Sequence, residues 1–156
     1  MITKYNINIF KYIFFILVSI IFSLPANSDL SSEELIKGRK ALFSKNYSTA
    51  KKVQILTSKG DFEKAKSLMM EMSENYKSLL EYFPENSKEG FKTEALPAIW
   101  ENKEEFNNLM TKSSNDMIKL VSVIEDTESV DEVREVLTKM MWGNCKSCHS
   151  KFRAPH

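Results

Sequence analysis

Apolar residues recur at intervals of three and four through four stretches of this sequence, a spacing that fits helices and not strands. The first stretch, residues 32–58, places Ile36, Phe43, Tyr47, Ala50 and Val53 at helical intervals. It opens on Ser31-x-x-Glu34, a capping box in which each side chain accepts the other residue's backbone N–H. Lys59-Gly60-Asp61 closes it and offers Asp61 as the N-cap of the next helix. That second helix, expected over residues 62–82, carries Phe62, Ala65, Met69, Met72, Tyr76 and Leu80 on one face. An aperiodic stretch follows, residues 83–97, containing Pro84, Gly90 and Pro97. A third helix is predicted over residues 103–124, presenting Phe106, Met110, Met117, Leu120 and Ile124. A second capping box, Ser129-x-x-Glu132, opens a fourth that reads to residue 152, with Val133, Leu137, Met140 and Met141 on its apolar face. Four amphipathic helices with one longer crossover predict an all-α, antiparallel four-helix bundle, a fold whose sites lie between facing helices.

The bundle does not account for the start of the chain. Lys4 and Lys11 precede an apolar run, residues 12–24, which ends in Pro25-Ala26-Asn27-Ser28. Basic, apolar and small residues in that order predict a cleaved secretory signal peptide over residues 1–28. The run is short for a membrane span, the competing reading. The mature domain is then residues 29–156, and of the 22 basic and 21 acidic residues only two basic ones are lost, leaving a net charge of about −1. Such a balance gives no electrostatic basis for binding nucleic acid or an anionic membrane. The exported product is expected in the periplasm, an oxidising space in which two free thiols are a liability unless committed to a function.

Both cysteines lie on the fourth helix, in Cys145-Lys146-Ser147-Cys148-His149. The spacing C-x-x-C-H is that of covalent haem attachment. Thiols three residues apart on a helix face one side, so both can form thioethers with the vinyl groups of a single porphyrin. The adjacent imidazole can then approach the iron as its axial ligand. A disulfide at this spacing inside a helix is strained. A thioredoxin-like pair would follow a strand, whereas a helix precedes this one. A zinc site would have only His156 as a fourth ligand. One haem c, held by Cys145 and Cys148 with His149 on the iron, is the expected cofactor.

Together these residues resemble class II c-type cytochromes, the cytochrome c prime family, across essentially the whole mature chain. The family's bundles carry C-x-x-C-H near the C-terminus, usually followed by an aromatic–arginine pair, here Phe152-Arg153. Ala95-Leu96-Pro97-Ala98-Ile99-Trp100-Glu101-Asn102 is similar to the family's segment before its third helix, and Phe83-Pro84 and Gly60-Asp61-Phe62 match by position and type. The resemblance implies that Arg39 contacts a haem propionate. Arg39 also sits on the apolar stripe between Ile36 and Phe43, where a charge needs a partner. Lys40 and Glu94 match two further haem contacts, though the family more often has glutamine and aspartate there. Arg153 resembles the arginine beside the axial histidine on the proximal side. Trp100 and Trp142 read as packing aromatics near the haem.

The resemblance also implies that the residue four after the arginine covers the open face of the iron. Methionine there gives a six-coordinate, low-spin electron carrier; an apolar residue gives a five-coordinate iron that admits small gases. Phe43 holds that position, on the same face as Arg39, and the first helix has no methionine, histidine or cysteine. The expectation is a periplasmic, five-coordinate cytochrome able to bind nitric oxide or carbon monoxide and to transfer electrons to an unidentified redox partner. Its apolar distal pocket is expected to lack a hydrogen-bond donor. The alternative is a low-spin six-coordinate electron carrier, with Met69 or Met72 as the nearest candidate ligands, though both read first as core fillers. An enzyme is not expected, because the first helix offers no distal histidine or arginine–histidine pair for peroxide cleavage. Members of the family often pair as homodimers through their first two helices.

Overall fold

The computed structural model describes residues 30–127 and 129–155. The expected signal peptide, the expected mature start near Asp29, and His156 lie outside them. The first helix, α1, spans Ser32–Ser58 and begins on the capping box the sequence predicts. The Ser31 N–H donates to Glu34 Oε2 at 2.9 Å, and the Glu34 N–H to Ser31 Oγ at 3.3 Å. Gly60, at φ +73°, turns the chain after Lys59, a left-handed conformation that costs glycine little. Helix α2 spans Phe62–Leu79 and continues as a 3-10 turn, Leu80–Tyr82. Its N-cap, Asp61, makes no capping hydrogen bond, because its carboxylate is drawn to Lys64 Nζ at 2.9 Å. Tightening of the last turn also alters the expected face, so that Leu79 is fully buried and Leu80 only half-buried.

The crossover contains a 3-10 turn, Glu85–Ser87, and one helical turn, Ala98–Glu101, before α3 spans Lys103–Asp126. The second capping box forms only by half. The Glu132 N–H donates to Ser129 Oγ, but Glu132 Oε2 accepts from Thr127 Oγ1 instead of from the Ser129 backbone. The fourth helix, α4, is built of Val130–Leu137, a π-helical turn Thr138–Trp142, and Gly143–Phe152.

The π turn has a geometrical reason. Val133 and Phe152 are both buried and lie 19 residues apart. At about 100° per residue, an uninterrupted α-helix would carry Phe152 about 100° round the axis from Val133. One wide turn takes up the extra residue and returns the second half of α4 to the core. Val133, Leu137, Met141 and Phe152 are therefore all buried, while Met140 is only half-buried.

The core runs between the four helices through Val53, Ala65, Met69, Met72, Phe106, Met117, Leu120, Val133 and Met141. Ser73 of α2 and Ser114 of α3, both buried, satisfy each other at 2.8 Å in its centre. Gly38 is needed where α1 meets the end of α2, because a Cβ there would stand 2.3 Å from the Tyr82 ring. The crossover is tied to the end of α4 by two backbone bonds: Leu96 N–H to Phe152 O at 3.0 Å and Ala154 N–H to Glu94 O at 2.8 Å. Among the described residues, no helix is long and apolar enough to cross a membrane.

Candidate functional site

Between α1, α3, α4 and the crossover lies a cavity of about 700 Å³, within the size range of small-molecule and cofactor sites. Every residue singled out from the sequence as a site residue lines it: Arg39, Lys40 and Phe43 from α1, Glu94 from the crossover, and Cys145, Cys148, His149 and Arg153 from α4 and its end. Cys145 and Cys148 are unpaired and half-buried, and His149 is exposed at the cavity wall. Burial pushes the Cys145 thiol up, against the pull of the Tyr76 hydroxyl. Burial, followed by the neighbouring Cys145, pushes Cys148 up to about 11. As free thiols, before any attachment, both are therefore neutral at physiological pH.

The cavity is polarised. At one end three cations, two from α1 and one from the end of α4, converge on residues 92–94. Arg39 donates to Thr93 Oγ1 at 2.7 Å, Lys40 Nζ to Lys92 O at 3.0 Å, and Arg153 Nε to Glu94 Oε2 at 2.9 Å. At the other end, two helical turns further along α1, Asn46 meets Tyr76 and Cys145. Because α1 and α4 run antiparallel, the thiols and the arginines sit at opposite ends of one slot. Phe43, Phe83, Phe106 and Phe152 line it in a continuous edge-to-face series, with centroids 6.4, 4.7 and 5.4 Å apart. A flat apolar macrocycle with carboxylates on one edge and thiol-reactive groups on the other fits this donor set, and haem has that form.

Arg39 makes its hydrogen bonds to residues 82–93. Its side chain is 2% exposed, and its two terminal nitrogens bond Tyr82 O, Ser87 Oγ, Ser87 O and Thr93 Oγ1 at 2.7–3.2 Å. Its guanidinium also lies 4.6 Å from the centre of the Phe83 ring. Desolvation lowers its pKa to about 10, so it remains charged. Arg39 is thus first a clamp on the crossover, and its charge reaches the cavity from a fixed position. The clamp holds a strained segment, since Phe91 and Lys92 have φ of 48° and 53° directly after Gly90 at 93°.

Trp142 lines the cavity and packs edge-on to Tyr47 at 6.2 Å. Trp100 does not line it; its indole N–H donates to the carbonyls of Phe83 and Pro84 and buttresses the Phe83 ring at 6.0 Å. Met69 and Met72 are fully buried in the core and line no part of the cavity. Met110 does line it, on the α3 face between Phe106 and Ser113. Its helical spacing matches the other core methionines, so nothing local in the sequence distinguished it. Asn46 was also not anticipated. It is 3% exposed and stands on the cavity wall near Tyr76. Asn144 is a third addition: with Asp116 and Lys112 of α3 it forms a polar tie next to Cys145.

Comparisons with known proteins agree with this geometry. The family model described as Cytochrome C′ matches residues 34–153. A cytochrome c′ of Rhodopseudomonas palustris is 34% identical over 130 residues, covering 80% of this chain and 85% of its own. A cytochrome c-556 of Agrobacterium tumefaciens is 32% identical over 94 residues, covering 60% of this chain and 72% of its own. The crystal structure of cytochrome c′ from Thermochromatium tepidum superposes with a TM-score of 0.70 at 20% identity, covering 82% of this chain and all of that one. A mutant of the Rhodopseudomonas palustris protein superposes at 0.68 with 28% identity, covering 78% and 98%. The chain belongs to the cytochrome c′ family and is a monohaem cytochrome that carries covalent haem c.

Proposed function

We propose that this cytochrome is a periplasmic gas-binding and electron-transfer protein whose haem iron is five-coordinate. Cys145 and Cys148 would hold the haem through thioethers, with His149 as the axial ligand. Bound haem supplies a one-electron couple and a coordination position for a small gas. The protein's own residues do the rest. Arg39, Lys40 and Arg153 place positive charge at the carboxylate end, and the phenylalanine series excludes water from the face of the ring. Phe43 screens the side opposite the α4 attachment. Structures of cytochrome c′ from Alcaligenes xylosoxidans with bound nitric oxide, among the structural neighbours, support a gas as the guest.

One observation carries the coordination state. From α1 the cavity is lined by Arg39, Lys40, Phe43, Ser44, Asn46 and Tyr47, none of which has a sulfur or an imidazole. The absorption spectrum of the reduced protein, taken with and without carbon monoxide, tests the reading. A high-spin spectrum that shifts on adding the gas is expected; a low-spin spectrum with a methionine–iron band would overturn it.

Met110 favours a second reading, the low-spin carrier, because it is the one methionine among the described residues lining the cavity. Its neighbours on α3 face α4, since Phe106 packs on Phe152 and Lys112 bonds Asn144. Those contacts toward the attachment helix favour the five-coordinate reading. The same proposal includes export by the residue 1–28 signal, a role without catalysis, and a homodimer through α1 and α2. Exposed Ile55 and Met70 on those two helices support the pairing.

A further inference from the structure

Charge is unevenly divided along the chain, although its total is near zero. Residues 35–60 hold seven lysines and arginines and no acidic residue, and residues 136–155 hold four and none. The rest of residues 29–156 carries all 21 acidic residues against nine basic ones. The cationic segments are most of α1 and the second half of α4 with its end, the elements that supply most of the exposed residues lining the cavity. Positive charge is therefore gathered on that side, and negative charge on α2, the crossover, α3 and the start of α4.

The cavity opening is the part of the positive side left uncompensated. Lys37 and Lys45 of α1 pair with Glu33 and Glu71, and Lys151 and Arg153 with Glu105 and Glu94. Lys40 reaches only the Lys92 carbonyl, and Lys51 lies over the Tyr47 ring at 4.2 Å. Neither these two nor Lys146 forms an ion pair among the described residues. Lys40, Ser44, Tyr47 and Lys51 follow at intervals of four, three and four, one stripe along α1. Lys146 lines the same cavity from α4. Tyr47 is 55% exposed and packs on Trp142, so an aromatic pair joins the surface to the cavity wall. Among the described residues lining the cavity, Glu94 is the one carboxylate, and Arg153 holds it.

We propose that Lys40, Tyr47, Lys51 and Lys146 form the docking rim for a redox partner, a protein whose own docking surface bears clustered carboxylates. Opposite charges speed the encounter and orient the cavity opening toward the partner, while Tyr47 supplies an aromatic contact among the lysines. This rests on the electron-transfer role proposed above. An anionic membrane is the poorer match, because an extended sheet of charge would also act on the acidic elements around the rim. A carboxylate patch matches the rim alone.

The test uses ferric holoprotein and, as probe, a reduced flavodoxin, an acidic electron carrier; one electron passes from its flavin to the haem iron. The second-order rate constant should fall at least about tenfold between about 0.01 and about 0.3 M salt. Lys51→Glu and Lys146→Glu should each slow the reaction about fivefold at low salt. Lys119→Glu makes the same change of net charge on the exposed side of α3 and should alter the rate less than about twofold. Haem potentials measured in each variant separate docking from driving force, and two rim variants keep the test decisive if one fails to fold. Equal slowing in all three, or a rate indifferent to salt, would overturn the proposal and leave electron transfer standing. Phosphatidylglycerol vesicles that bind the holoprotein through the same lysines, with flavodoxin reduction unchanged by the rim variants, would assign the face to lipid and overturn it too. A haem that flavodoxin reduces at no salt concentration would remove the electron-transfer role and this docking site with it.

Discussion

Arg39 shows how one buried charge can serve a fold and a site together. A guanidinium is costly to bury unless its N–H groups are met, and here the crossover supplies the acceptors. The same contacts hold Phe91 and Lys92 in left-handed backbone conformations that bulky residues avoid. Arg39→Met removes the donors, keeps the bulk, and leaves the carbonyls of Tyr82 and Ser87 short of partners. We expect a loss of about 3 kcal/mol, read as a lower urea midpoint of the holoprotein. Backbone amides of residues 87–93 should lose hydrogen-exchange protection in the same variant. A purely electrostatic arginine, acting only on a carboxylate of the cofactor, would leave that loop protected.

At the scale of elements, α4 decides whether the attachment residues face inward. Its first half is set by Val133, Leu137 and Met141 packing in the core, its second half by Phe152 against Phe106. The register between these anchors does not suit a continuous α-helix, and the turn Thr138–Trp142 absorbs the difference. Deleting exposed Lys139 should therefore convert the π turn to α and leave both anchors on the core side. We expect the variant to retain one haem by mass spectrometry and to melt within about 5 °C of the parent. Loss of haem from this variant would mean that the π turn does more than set register. The tie of Asn144 to Asp116 and Lys112 acts on the same segment, fastening α4 to α3 one residue before Cys145.

For the whole molecule, the cavity is too large to be incidental. At ~24 cal/mol per Å³, a dry void of about 700 Å³ would cost about 17 kcal/mol, more than the 5–15 kcal/mol by which an entire domain is usually stable. Solvent access lowers that cost, and a bound cofactor would remove what remains of it. Cys145→Ser with Cys148→Ser, which blocks attachment, should leave a helical chain without a fixed core. Far-UV circular dichroism should persist while the thermal transition broadens and a hydrophobic dye binds. A sharp transition like that of the holoprotein would show that the bundle stands without the haem.

The sequence by itself determined what depends on local order. Helical periodicity and the Ser31 cap placed α1 at its observed bounds, because capping and amphipathic spacing act within a few residues. The five residues from Cys145 to His149 determined the cofactor, since haem attachment requires those groups at that spacing. The loss of periodicity over residues 83–97 likewise marked the crossover. Only the tertiary structure decided which methionine meets the cavity and how Arg39 spends its hydrogen bonds. Met69, Met72 and Met110 carry the same helical signal, and the packing of α2 and α3 alone separates core from cavity. Asn46 and Asn75, 29 residues apart, meet through their amides only because α1 packs on α2. Those outcomes depend on contacts between distant elements, which no local pattern encodes.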